Sequence, residues 1–82
     1  MKVQDKIQEL KADKQFIFDK YLRYYESPEI GCEVLFYSNM VDLMIKKLNK
    51  VEEDEIPQEL ISSKDFELLR ALYDKCIQLM KD

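Results

Sequence analysis

The apolar positions at the start of this chain keep a regular beat. Val3, Ile7, Leu10, Lys14, Ile17, Tyr21 and Tyr24 step 4-3-4-3-4-3 along the sequence. That is a 3.5-residue repeat, the seam of a helix packed lengthwise on another. Phe18, Leu22 and Tyr25 widen the seam near its end, and no Gly, Pro or Ser interrupts it. The pattern predicts a helix over about 3–25. Glu26-Ser27-Pro28 closes it, because the residue before a proline is pushed out of the α region. Ser27 can then cap a new helix with Pro28 at its first position.

The second segment repeats the beat with Ile30, Val34, Tyr37, Val41, Met44, Leu48 and Val51. A further row, Phe36, Met40 and Leu43, lies beside it. At 100° per residue the combined apolar arc spans about 200°. This predicts a central helix over about 28–50 with two neighbours, one row taking the first helix and the other the third. The short connection makes the first two helices antiparallel. With the turn centred on Pro28, residue i of the first helix faces residue 56−i of the second. Lys14, the one polar residue on its seam, then faces Asp42. It either pairs with Asp42 as a structural ion pair or snorkels to water.

Glu52-Glu53-Asp54-Glu55 and Ile56-Pro57 follow. The four acids repel one another and proline ends any helix that enters it. Residues 51–62 therefore read as an acidic, solvated linker with room for a single helical turn at Pro57 to Ile61. The acids lack the alternating spacing and distal Glu of a Ca²⁺ loop. The last segment, about 63–80, puts Phe66, Leu69, Leu72, Tyr73, Cys76, Ile77, Leu79 and Met80 on one face. Ser62-x-x-Asp65 at its start has the form of a capping box with Asp in place of Glu. The expectation is an all-α fold: one domain over 1–82, a small three-helix bundle made of a long antiparallel hairpin and a shorter third helix.

Composition narrows the function. The chain has 82 residues, 46% hydrophobic and 37% charged, with one Gly and two Pro. It is too apolar for disorder and too poor in turn residues for a many-stranded sandwich. Thirteen basic against 17 acidic residues give a net charge of −4, which disfavours nucleic acid as a partner. The longest apolar run is Val34 to Tyr37, too short to span a bilayer. Met1 to Lys6 lacks the apolar core of a signal peptide. The expectation is a cytoplasmic protein without direct membrane insertion. Cys32 and Cys76 form no CxxC and read as reduced thiols, Cys76 buried and Cys32 at the edge of the apolar arc.

No His is present, no Gly-rich phosphate loop, and no base beside a Ser or Cys. The chemistry of general acid–base or nucleophilic catalysis is therefore missing. A non-enzyme without cofactor or metal is expected. In Tyr21-Leu22-Arg23-Tyr24-Tyr25 the first and fourth residues plug the end of the bundle, and Tyr25 faces out. Lys46, Lys47 and Lys50 complement the dipole at the end of the second helix. A third helix shorter than the hairpin leaves part of a groove open. Tyr25, Phe36 and Met40 are its expected lining and the candidate partner-binding residues. An amphipathic segment of a target, or a second copy of the chain in a homo-oligomer, would fill it.

The chain as a whole resembles the small cytoplasmic antiholins of T-even phages. The likeness lies in size, in the acidic, histidine-free helical make-up, and in stretches such as Ser27-Pro28-Glu29-Ile30-Gly31-Cys32-Glu33 and Val51-Glu52-Glu53-Asp54-Glu55-Ile56-Pro57. No residue role transfers with it. The resemblance implies a protein that binds the cytoplasmic segment of a holin and delays host lysis together with a periplasmic antiholin. Without it, the residues imply a helical chaperone or regulator of another protein, such as a secretion subunit or a transcription factor.

Overall fold

A computed structural model describes residues 1–81. Three long helices and one helical turn follow in order: α1 (Val3–Tyr21), α2 (Pro28–Asn49), α3 (Gln58–Ile61) and α4 (Lys64–Leu79). The molecule is a rod of 42 × 20 × 18 Å. This is a small all-α bundle built on the α1–α2 hairpin, with α2 packed against both α1 and α4.

The seams fold as their spacing requires. Val3, Ile7, Leu10 and Ile17 of α1 are buried against Ile30, Val34, Tyr37, Val41, Met44 and Leu48 of α2 and Leu69, Leu72 and Cys76 of α4. Ser27 caps α2, its Oγ accepting from the Ile30 N–H at 3.4 Å, with Pro28 at the first position. Lys14 Nζ donates to Asp42 Oδ1 at 2.9 Å across the α1–α2 interface, in the register where residue i faces 56−i. Lys47 pairs with Asp65, and Lys75 Nζ lies 2.9 Å from Glu33 Oε1. These two pairs run α4 antiparallel to α2.

Four expectations need correction. First, α1 ends at Tyr21, not near residue 25. From Arg23 onward the ladder tightens to three-residue bonds: Arg23 N–H to Lys20 O, Tyr24 N–H to Tyr21 O, Ser27 N–H to Tyr24 O. Tertiary contacts outweigh the helical pattern there. Tyr24 Oη donates to the Met80 carbonyl at 3.1 Å, tying the turn to the end of α4. Tyr21 packs over Gly31, where a Cβ would come within 2.9 Å of its hydroxyl.

Second, the two apolar rows of α2 do not take one helix each. The Val34–Leu48 row lies in the core that α1, α2 and α4 share, while Glu33 and Lys47, which pair with α4, lie toward its Phe36 side. Phe36 and Leu43 stay exposed, at 52% each, while Met40 packs against the core.

Third, the acidic linker is not a free connection. Val3 N–H donates to Asp54 O at 2.8 Å and Ile56 N–H to Met1 O at 3.1 Å, around an isolated Lys2–Glu55 bridge. Ile56 is buried and closes that end of the core. The acidic side chains remain in water, and α3 forms the single turn.

Fourth, no capping box forms at α4. Ser62 Oγ donates instead to the Gln58 carbonyl at 2.8 Å, and Asp65 is drawn to Lys47. Ser63 takes the N-cap position with its Oγ buried and unpartnered.

Candidate functional site

Because α1 and α4 both lean on α2 and barely meet, a groove opens between them. Its volume is about 850 Å³. Leu10, Leu69 and Tyr37 form its base, and Ile56 and Ile61 close one end. Lys6, Glu9 and Asp13 line it from α1, one helical turn apart. Phe66, Glu67, Arg70, Tyr73 and Asp74 line it from α4.

The geometry is that of a half-wet binding cleft. The Tyr37 and Tyr73 rings stand 5.8 Å apart, tilted by 57°. Lys6 Nζ lies 5.4 Å from the centre of the Phe66 ring and 3.1 Å from Glu9 Oε1. Asp13 makes no ion pair among the described residues. Burial, and then the charge of Glu9, holds its carboxyl above the usual carboxylate range, with Lys6 opposing. Burial, followed by the charge of Asp13, also pushes the Tyr37 and Tyr73 hydroxyls up. Phenols shifted that way stay protonated at neutral pH and serve as neither nucleophile nor base.

Cys76 adds no reactivity. It is fully buried, and desolvation pushes its thiol up to about 11. No group of three potential metal ligands occurs among the described residues. What the groove offers is apolar surface, aromatic faces and an excess of carboxylates.

The residues singled out from sequence lie elsewhere. Tyr25 is 66% exposed in the α1–α2 turn, Phe36 is exposed on the outer flank of α2, and Met40 is half-buried. None of the three lines the groove or the smaller hollow around Lys14, Phe18 and Ile45. Lys14 and Asp42 meet on the far side of α1, away from the groove. Asp13, Phe66 and Tyr73 carry the groove and were not singled out. One signal for them was present in the sequence. Glu9 and Asp13 are like charges four residues apart beside an apolar seam, an arrangement that costs stability unless something uses it.

No helix among the described residues is long and apolar enough to cross a membrane. No family model matches the chain, and no curated protein or solved structure compared with it matches either.

Proposed function

We propose that this chain is a non-enzymatic helical regulator that acts by binding another protein. The α1–α4 groove is the observation that carries this reading: open along its length, apolar at its base, and without a nucleophile–base pair. Such a cleft between helices takes an amphipathic segment of a partner. The resemblance to cytoplasmic antiholins supplies the target, the cytoplasmic segment of a holin, with delay of host lysis as the consequence.

The test has two parts. The cytoplasmic segment of a T-even-type holin is titrated against the full chain by calorimetry, and lysis time is recorded in cells expressing that holin with and without the chain. Saturable binding together with later lysis supports the reading. Absence of both removes the holin as target and leaves a chaperone or regulator of a different protein.

A further inference from the structure

We infer that the α1–α4 groove receives a lysine- or arginine-bearing amphipathic helix of a protein partner, with the partner's cation seated between Asp13 and Tyr73. This rests on the protein-binding reading above and adds the chemistry of the partner.

The charge balance of the groove points to a cation. Four carboxylates, Glu9, Asp13, Glu67 and Asp74, face Lys6 and Arg70, and the Met1 ammonium at the rim is taken up by Glu55 at 3.2 Å. Lys6 is already committed to Glu9 and to the Phe66 ring. Asp13 lines the groove half-buried and without an ion pair among the described residues, Lys6 acting on it only through space, so an incoming ammonium or guanidinium would meet an unpaired carboxylate. The partly exposed Tyr73 ring beside it adds a cation–π contribution, and Lys6 over Phe66 shows the groove wall already accepting one.

The shape points to a helix rather than a small amine. The base is apolar over Leu10 and Leu69, and the rim carries exposed Met1 and Ile61. Side chains at i and i+4 of a bound helix would cover that surface while a third reaches Asp13.

The probe is a synthetic amphipathic helix of Leu and Lys, with the same peptide carrying Glu for Lys as control. Each is titrated into the isotope-labelled full chain at physiological salt and followed by NMR. The inference expects shifts centred on Lys6, Asp13, Phe66 and Tyr73 with the Lys peptide, and none with the Glu peptide. Asp13→Asn should weaken binding about tenfold. Glu53→Gln removes the same charge from the acidic segment and should leave binding unchanged. A melting curve for each variant checks that it is folded.

Equal losses in the two variants would mean general attraction to an acidic surface and would overturn the inference. So would shifts centred on Phe36 and Leu43, or no binding at all. A chain that ignores the Lys peptide but binds the holin segment loses the groove chemistry and keeps the regulator reading. Binding in the groove without holin binding supports the chemistry and removes only the named target.

Discussion

Cys32 and Cys76 are the same side chain in opposite surroundings. Cys32 is exposed on the outer flank of α2, whereas Cys76 is sealed into the core where α4 meets α2. Thiol reagents attack the thiolate, and desolvation at Cys76 raises its thiol from 9.0 to about 11. Cys32 should therefore be modified faster than Cys76 in the native protein, and both equally in denaturant. Mass spectrometry of a timed labelling series measures this directly. Comparable native rates would mean that α4 opens often enough to expose its seam. A second residue-scale expectation concerns Lys14 and Asp42. Their side chains are 31% and 51% exposed, so a double-mutant cycle should give a coupling of about 0.5 kcal/mol, as partly exposed pairs do. Zero coupling would show that the pair marks the register without contributing to it.

At the scale of elements, α2 decides the architecture, and its two apolar rows meet different fates. Val34, Tyr37, Val41, Met44 and Leu48 are buried under α1 and α4 together. Phe36 and Leu43 of the outer row remain in water, and Met40 of the same row is partly covered. Phe36→Glu should leave the melting temperature nearly unchanged, because the carboxylate stays hydrated. Met40→Glu should cost about 1–3 kcal/mol, because it brings a charge to the edge of the core. Thermal denaturation of the two variants side by side tests the difference, and equal losses would mean that α4 covers the outer row as well. The helices themselves were legible because period 3.5 is a property of the residues alone. Ser27-Pro28 likewise marks a boundary through local sterics. The end of α1 was not legible. Tyr24 leaves the ladder to reach the Met80 carbonyl, a partner 56 positions away. Nor was the loss of the capping box, since Asp65 answers to Lys47 on another helix. Local pattern predicts an element until a distant group competes for the same side chain.

For the whole molecule, the groove exists because α1 and α4 both pack on α2 and barely meet each other, an arrangement no single helix reveals. Its aromatic base was readable as seam, but its carboxylates read only as an ordinary polar flank. The arrangement has a thermodynamic signature that the intact protein should display. Asp13 is faced by Lys6 and Glu9 on its own helix, by Tyr37 on α2, and by Arg70, Tyr73 and Asp74 on α4. Burial, then Glu9, raises its pKa above 3.8 in the folded chain. The folded state therefore binds the Asp13 proton more tightly than the unfolded state does. Between 3.8 and the raised value the folded chain carries more protons, so this group's contribution to stability falls as pH rises through that window. Above the window the carboxylate is a standing cost; below it the cost is gone. Tyr37 and Tyr73 stay neutral throughout and contribute nothing to this slope. Asp13→Asn should accordingly melt higher than the parent chain at pH 7, and the gain should shrink as the pH is lowered through the folded-state pKa. Differential scanning calorimetry at a series of pH values reads both the sign and the window. A variant that melts lower at pH 7 would mean that the carboxylate already has a favourable partner within the chain. The groove would then have no unmet negative charge to offer a cation. The opposite result, a gain in stability at neutral pH alongside a loss of peptide binding, is what a site kept strained for a partner requires.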